Sequence, residues 1–460
     1  SLLPKKTSNI SGACSNLVNS IVGAGIIGIP YALKESGLVS GILLLIVVGY
    51  FTTKSLQMIV DLATSSSQLK GKGVWTYNDL LELPYGLAGK NFVLISMFIT
   101  AYGAMVAYLL IIKDTLPVIL GLVNDADESV GGFMERELVM IITSLVVCVP
   151  LSMQRDFSSL AYTSSVSVFA DILLVVFVAI FAPIGDSVQN AGGLGTVLSS
   201  SILNPGGFFI GFGVLTVAMC CQHSAFIVAS SLDNPNPKRW SIVTSISLTI
   251  SVICCLVLGV SGYLGFLDET SGDVLNNFGV ASRQANIARG LLALTMFFTY
   301  PMEAFVARHV LVELIWGGDM NGYTIQSVID NDTGEEIITQ KRSKCFCGLL
   351  NRRHQVTVLI YILTLMPALI VDDLGPVLSI TGAIGGCSLA YIGPGLAYLG
   401  IYGDDLLQRC ANIILSMNTK KTKTTQTIGE AELPIDGDAT AQMEDNNVNN
   451  SLTVDPRLVF

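Results

Sequence analysis

Charged residues are scarce in this chain of 460 residues. Asp, Glu, Lys and Arg together make up 13% of it, about half the share found in a typical soluble globular protein. So few charges exclude a chain that is disordered throughout, because disorder goes with high charge and little apolar surface. The net charge of −10 argues against a nucleic-acid partner, since nucleic acid binds to a basic surface.

Motifs of enzyme active sites and cofactor sites are missing as well. The sequence has no Walker A motif, no His-Glu-x-x-His and no Gly-x-Ser-x-Gly, so we expect neither an enzyme nor a bound cofactor. The three histidines, His223, His309 and His354, are widely spaced and are interpreted as packing or edge residues. Cys345-Phe346-Cys347 lacks a second pair at zinc-binding spacing, so no metal site of that kind is predicted.

Aliphatic residues are what the sequence has in abundance. Hydrophobic residues make up 51% of the chain and its mean hydropathy is +0.62. Apolar runs of about 20 residues predict transmembrane helices, and ten such runs can be read from the sequence. The predicted spans are 13–33, 38–60, 92–121, 137–153, 160–182, 207–231, 241–265, 285–308, 355–371 and 375–402. The predicted fold class is therefore an all-α membrane protein.

The spans divide the chain into three parts. Residues 1–9 are a short N-terminal tail, 10–402 a transmembrane core with a polar loop at 313–354, and 403–460 a polar segment with a disordered composition. Both tails and the loop are predicted to be cytoplasmic. Outside the last segment, fifteen Lys and Arg fall on that side and five on the other. Glycosylation sequons at Asn9, Asn331 and Asn449 fall on the cytoplasmic side too, which leaves the reversed topology as an alternative.

Glycines cluster in the first and sixth spans. Gly23-Ala24-Gly25-Ile26-Ile27-Gly28 has the spacing of a dinucleotide-binding loop, but Pro30 follows and no carboxylate lies around Val48, where that site requires one. The cluster is either a close helix contact or a helix break, and its three glycines and proline favour the break. Residues 206–213 hold four more glycines. Interrupted segments at matching positions of two five-span halves indicate inverted repeats around a transporter's binding site.

Three ionisable residues inside the spans are candidates for function, because burying such groups in a membrane is costly. They are Asp171, Arg289 and Glu303. Asp171 lies about halfway along span 5 and is either a structural partner, which we favour, or a proton site. Glu303 is either a proton site or a satisfied residue near the end of span 8.

Four parts of the chain resemble signature segments of the amino acid/auxin permease family. They are Asn19–Ala32, Thr76–Lys90, Gly213–His223 and Tyr300–Glu303. The similarity is collinear over residues 10–402, and it is greatest to the sodium-coupled neutral amino acid transporter branch. It implies a LeuT-like fold of inverted five-helix repeats with broken helices 1 and 6. That fold has eleven helices, so with ten present we expect an eleventh beyond Phe460.

The resemblance also implies a substrate site and an ion site. The carboxylate of an amino acid would meet backbone amides in the break of span 1, and its ammonium would meet carbonyls in span 6. A sodium ion would be bound by backbone oxygen of span 1, one amide side chain and two hydroxyls of span 8. The implied substrate residues are Gly23, Ala24, Gly25, Ile26, Gly28, Phe209, Gly211 and Phe212, and the implied ion residues are Asn19, Val22, Thr295 and Thr299. Ordinary hydrogen bonds between helices are the alternative for the three polar side chains.

The predicted function is secondary-active transport of neutral amino acids by alternating access, as a sodium symporter. One alternative is a proton-coupled exporter of a vacuolar or lysosomal membrane, and another is a transporter-like sensor of amino acids. The expected partners are the amino acid, Na+ or H+ as the coupling ion, the lipid bilayer of a plasma or vacuolar/lysosomal membrane, and unidentified cytoplasmic partners of the loop and tail. Nucleic acid is not expected.

Overall fold

Helices dominate the computed structural model of the protein. It describes residues 9–65, 76–122, 133–153, 161–233, 236–318, 323–329, 336–342, 352–408 and 411–412. The chain divides into one compact unit over residues 1–402 and a second over 403–460. The predicted division into a tail at 1–9, a core at 10–402 and a polar segment at 403–460 stays a prediction. In the second unit, the described residues 403–408 and 411–412 are helical, and most of the polar segment predicted to be disordered lies outside the described residues.

The helices of the first half are α1 (Ile10–Val22), α2 (Ile29–Ser36), α3 (Leu38–Ser65), α4 (Tyr77–Ile119), α5 (Phe133–Thr143), α6 (Val149–Ser152), α7 (Ala161–Phe181), α8 (Ile184–Asn190) and α9 (Leu194–Ser200). Those of the second half are α10 (Phe208–Met219), α11 (Gln222–Ser231), α12 (Pro237–Phe266), α13 (Arg283–Trp316), α14 (Arg352–Ile370) and α15 (Leu374–Thr381), followed by two π-helical turns and a helix over 393–408. The predicted loop at 313–354 contains an antiparallel hairpin of β1 (Tyr323–Ile329) and β2 (Glu336–Arg342).

Seven helices in the described residues are long and apolar enough to cross a membrane, and two bent pairs raise the total to nine if each pair is one span. The prediction of an all-α membrane protein is therefore confirmed, whereas the count of ten spans is not. The predicted fourth span corresponds to α5, a π-helical turn at Ser144–Cys148 and α6. It begins with three charged residues, Glu135 to Glu137, which make it less apolar than the other spans.

Local sequence explains where several helices begin and bend. The Thr76 side chain accepts from the Asp79 amide while the Asp79 carboxylate accepts from the Thr76 amide, a capping box that starts α4. Asn236 caps α12 in front of Pro237, a favoured residue for the first helical turn. Within α4, Gly86 has φ 61° and ψ −147°. Only glycine adopts that conformation readily, so α4 turns sharply there.

The bundle is apolar on its outside and closely packed inside. Leu43, Phe169, Ile180 and Phe209 expose more than 60% of their surface, as expected of side chains that face lipid. Inside, α13 packs along α4 and α7, and α12 packs along α1 and α3.

A seam of glycines joins α4, α10 and the segment 374–392. A Cβ atom on Gly103 would overlap the Thr381 side chain, one on Gly385 would overlap Thr100, and one on Gly382 would overlap the carbonyl oxygen of Gly213. Small residues allow membrane helices to approach this closely.

Candidate functional site

The first span is broken where the sequence predicts it. α1 ends at Val22, Gly23 adopts φ −11° and ψ −142°, residues Ala24–Gly28 form a 3₁₀ helix, and α2 then begins with Pro30 in its first turn. The two halves of the span differ in direction by 45°. A Cβ atom on Gly25 would overlap Cα of Ala218 in α10. The glycines therefore allow both the unusual backbone of the break and its close approach to α10.

The sixth span is interrupted later than the sequence predicts. α10 runs without a break from Phe208 to Met219, and the interruption lies at Cys220–Cys221, before α11. The prediction of a break near Gly211 is wrong. A Cβ atom on Gly211 would lie 2.6 Å from the carbonyl oxygen of Ala32, so this glycine serves the packing of α10 against α2.

The three substrate candidates of span 6 are separated by this arrangement. The Phe209 side chain is 77% exposed on the outer wall of the bundle, and the Phe212 ring stacks on Tyr391 with centroids 6.3 Å apart. Their carbonyls belong to an intact helix, so the expectation that Phe209 to Phe212 present free carbonyls to an ammonium group is wrong. Within α10, the backbone that lies next to the break of span 1 is instead that of Ala218.

A small polar cavity adjoins the break, on the side of α1. Its volume is about 30 Å³, room for about one water molecule or ion. Four helices contribute to its walls: α1, α4, α11 and α13. The polar lining residues are Asn19, Ser20, Tyr108, His223, Ser224, Thr299 and Glu303. A Cβ atom on Gly23 would lie 3.6 Å from the Tyr108 hydroxyl, so one residue of the cavity wall also adjoins the break.

An ion pair crosses the cavity. His223 Nε2 lies 3.3 Å from Glu303 Oε1, with the two side chains 7% and 14% exposed. The interpretation of His223 as a packing residue is therefore wrong, and Glu303 belongs to the site. Three more atoms in the cavity wall, Asn19 Oδ1, His223 Nδ1 and Glu303 Oε2, are buried without a hydrogen-bond partner among the described residues. Unsatisfied buried polar atoms are rare. Asn19 and Glu303 each contribute one such oxygen, and both residues line a space that one small cation or water can fill.

The four residues of the implied ion site are only partly brought together. Asn19 and Thr299 line the same cavity, whereas Thr295 and Val22 do not. The hydroxyl of Thr299 donates to the carbonyl oxygen of Thr295 over 2.9 Å, and that of Thr295 donates to the carbonyl of Leu291 over 3.1 Å. Each hydroxyl oxygen keeps a lone pair, but only that of Thr299 belongs to a residue lining the cavity.

The other two ionisable residues of the spans lie outside this cavity. Asp171 is 2% exposed and its Oδ2 has no hydrogen-bond partner among the described residues. Arg289 donates to the carbonyl oxygens of Leu275 and Phe278, at 2.9 and 2.6 Å, so it holds the chain that precedes α13.

That chain, residues 267–282, forms a lid over the α2 end of the break. A Cβ atom on Gly28 would lie 3.7 Å from the carbonyl oxygen of Gly272. Val274 and Leu275 are fully buried. Asp273 Oδ1 accepts from the Leu275 amide over 2.8 Å, while Oδ2 has no partner among the described residues. Burial and the nearby Asp114 carboxylate raise the pKa of Asp273 to about 7.

Comparison with known proteins identifies the class of this protein. The model of a family described as transmembrane amino acid transporter protein matches residues 5–419. The chain therefore belongs to that family of multi-pass integral membrane proteins, and the predicted kinship to amino acid permeases is confirmed.

Individual relatives differ in their names. Sodium-coupled neutral amino acid transporter 11 of Bos taurus is 29% identical over 395 residues, which cover 86% of this chain and 76% of the relative. Vacuolar amino acid transporter 2 of Saccharomyces cerevisiae is 33% identical over 311 residues, which cover 67% of this chain and 63% of the relative. Sodium-coupled neutral amino acid transporter 7 of Xenopus laevis is 26% identical over 395 residues, 85% of this chain and 80% of the relative.

Proposed function

We propose that the protein is a secondary-active transporter of neutral amino acids that works by alternating access. The observation that carries the proposal is the break of span 1 beside a polar cavity in the middle of a membrane-spanning bundle. Backbone groups freed by such a break bind small charged molecules without a dedicated charged side chain. In this proposal, amides of Gly23 to Gly28 bind the carboxylate of the substrate.

The two ends of the break differ in a way that fits alternating access. The lid at 267–282 covers the α2 end, with Val274 and Leu275 fully buried. The polar cavity lies at the α1 end, beside Asn19 and Ser20. With the predicted cytoplasmic N-terminus, this arrangement is closed toward the outside and has its cavity toward the cytoplasm. Transport requires that the lid leaves its seat when the cavity closes.

The residues that line the cavity suit two candidate coupling ions. Sodium requires several oxygen ligands, and the cavity offers Asn19 Oδ1, Glu303 Oε2 and the Thr299 hydroxyl. The sequence alone implied a sodium site made of neutral side chains, so the Glu303 carboxylate is an addition to that set. A proton requires a titratable group, and the cavity holds two, His223 and Glu303. We propose sodium as the coupling ion because an unpartnered amide oxygen and a carboxylate oxygen line one ion-sized cavity. Proton coupling is the second candidate.

Uptake of a neutral amino acid into proteoliposomes, with sodium and proton gradients imposed one at a time, tests both the function and the ion. We expect uptake to require a sodium gradient. Asn19→Ala removes one oxygen ligand and should raise the sodium concentration for half-maximal uptake roughly 5- to 150-fold. Asn190→Ala, on the exposed face of α8, is the matched control and should leave uptake unchanged.

Glu303→Gln separates the two ions. Glutamine keeps an oxygen but cannot exchange a proton, so a sodium transporter should retain sodium-dependent uptake at reduced sodium affinity. Glu137→Gln, which changes a buried carboxylate of α5 outside the cavity lining, is the control. Sodium-independent uptake that Glu303→Gln abolishes and Asn19→Ala leaves intact would establish the proton instead. Binding of amino acid without flux under either gradient would contradict transport and favour a sensor.

A further inference from the structure

A buried carboxyl group lies outside the polar cavity, on α7. Asp171 is 2% exposed. Its Oδ2 has no hydrogen-bond partner among the described residues, and no Lys, Arg or His in that part of the chain lies close enough to affect it. A charged carboxylate buried without a cation is costly, above all inside a membrane. Asp171 is therefore a neutral acid, with its proton bound, in this conformation.

The register of two helices places Asp171 opposite Cys254. α7 and α12 meet near Ala182 and Gly265, where a Cβ atom on the glycine would lie 2.8 Å from Ala182 Cβ. Both helices end near this contact, so they run in the same direction. Asp171 and Cys254 each lie eleven positions earlier, about three helical turns, which returns both to the contact face at the same depth. The Cys254 thiol lies close enough to feel the Asp171 carboxyl group, as this register requires.

Two serines at this depth are unsatisfied as well. Ser167 lies one turn before Asp171 on α7, and Ser251 lies one turn before Cys254 on α12. The serines are 2% and 0% exposed, and neither hydroxyl oxygen has a hydrogen-bond partner among the described residues. Hydroxyls and a protonated carboxyl group each offer both a donor and an acceptor. The surroundings of Asp171 therefore suit the neutral acid.

Span 1 passes this group of polar residues at its break. α12 runs beside span 1, since the Cys14 thiol donates to the carbonyl oxygen of Val243 over 3.8 Å and a Cβ atom on Gly259 would lie 2.7 Å from Ile29 Cγ2. The break of span 1 lies between these two contacts, and so does the part of α12 that faces Asp171. α1 also packs against both α7 and α12. The half of span 1 before the break therefore helps to keep Asp171 away from water.

The titratable groups that face Asp171 come from two neighbouring helices. They are Tyr108 of α4 and Cys254 of α12. Tyr108 also lies near Glu303 and lines the polar cavity. α1 has no ionisable side chain except Cys14, and no charged side chain of α13 in the described chain affects Asp171. Solvent access is therefore what decides whether Asp171 keeps its proton.

We propose that Asp171 is a proton site of the transport cycle, which holds a proton while α1 packs over it and releases that proton when α1 moves away. This rests on the proposed function, because alternating access is what rearranges the helices around the break. Contact with water favours the carboxylate over the buried acid. In the release step the O–H bond of the carboxyl group breaks, the proton passes to a water molecule, and the carboxylate keeps the electron pair. The site is separate from the cavity in which sodium is proposed to bind.

Infrared spectroscopy of the protein in nanodiscs tests the proposal through the carbonyl band of a protonated carboxyl group. At pH 7 an ordinary aspartate is protonated only about 0.1% of the time. The spectrum of wild type minus that of Asp171→Asn should nevertheless show the band of one protonated group. In D2O the band should shift as deuterium replaces the proton. The shift should be faster with a neutral amino acid and sodium present, because each movement of α1 lets the proton exchange.

Asp186→Asn is the matched control, because it removes an exposed carboxyl group of α8 and should leave the band and its exchange as in wild type. Asp171→Glu should restore the band, and thermal unfolding checks that each variant is folded. A difference spectrum without the band would overturn the proposal. Exchange that the amino acid and sodium do not accelerate, in a preparation that takes up amino acid, would overturn it too. Absence of uptake would instead contradict the transport function, which the resting band does not depend on.

Discussion

Gly25 offers a direct test of the contact between the break of span 1 and α10. A methyl group at this position would lie 2.8 Å from Cβ of Ala218 and would overlap its Cα. Ordinary contact distances are 3.4 to 4 Å, so even the Cβ pair must separate by about 0.6 to 1.2 Å (3.4 − 2.8 to 4 − 2.8). Overpacking of this kind costs typically about 1–3 kcal/mol.

Gly25→Ala should therefore lower the free energy of unfolding by about 1–3 kcal/mol and reduce amino acid uptake much more strongly. Uptake suffers more because the displaced backbone is the proposed substrate site. The double variant Gly25→Ala with Ala218→Gly removes one of the two clashing groups and should recover part of both losses. Thermal unfolding of purified protein measures the first quantity, and uptake into proteoliposomes measures the second.

Gly185→Ala is the control, since a Cβ atom there meets open space, and it should change neither quantity. The reasoning would be refuted by a Gly25→Ala protein with wild-type unfolding temperature and wild-type uptake. It would also be refuted if Ala218→Gly, which weakens α10 by itself, cost as much in the Gly25→Ala protein as in the wild type, because a relieved overlap must make that cost smaller.

Two further predictions concern the lid and the orientation of the chain. The pKa of Asp273 in the seated lid is raised from 3.8 to about 7, so the seated lid is favoured at low pH and loses stability as the pH rises from about 4 to 7. A cysteine replacing the buried Val274 should react with a thiol reagent faster at pH 8 than at pH 5, and adding Asp273→Asn should abolish that difference. A pH dependence that survives Asp273→Asn, after correction for the reactivity of the thiol itself, would contradict this role. For orientation, a single cysteine at Asp268 should be labelled by an impermeant reagent from outside intact cells and one at Lys238 should not, and the opposite pattern would establish the reversed topology.

The sequence predicts features that depend on neighbouring residues and misses those that depend on distant ones. The break of span 1 follows from glycines and a proline within a few residues of one another, which change the backbone locally. In span 6 the same residue type serves another purpose, since Gly211 and Gly213 let other helices approach α10. The actual interruption at Cys220–Cys221 has no helix-breaking residue to mark it.

The candidate site depends even more on residues that are distant from one another in the sequence. His223 and Glu303 are 80 positions apart in the sequence, and only the packing of α11 near α13 brings their side chains to 3.3 Å. A histidine and a glutamate in separate spans carry no spacing that predicts a pair. The hairpin of β1 and β2 had a local signal, because Tyr323 to Ile329 contains several β-branched residues, but the polarity of the 313–354 region led to its interpretation as a loop.

The glycine seam between α4, α10 and the segment 374–392 affects how these helices can move. Where Gly103, Gly213, Gly382 and Gly385 meet their neighbours, backbone faces small side chains and backbone. Helices joined in this way can slide or pivot against one another without first changing side-chain rotamers, so the bundle can move at this seam. A comprehensive library of single substitutions should then show these four positions as intolerant even of alanine, although none of them touches the polar cavity.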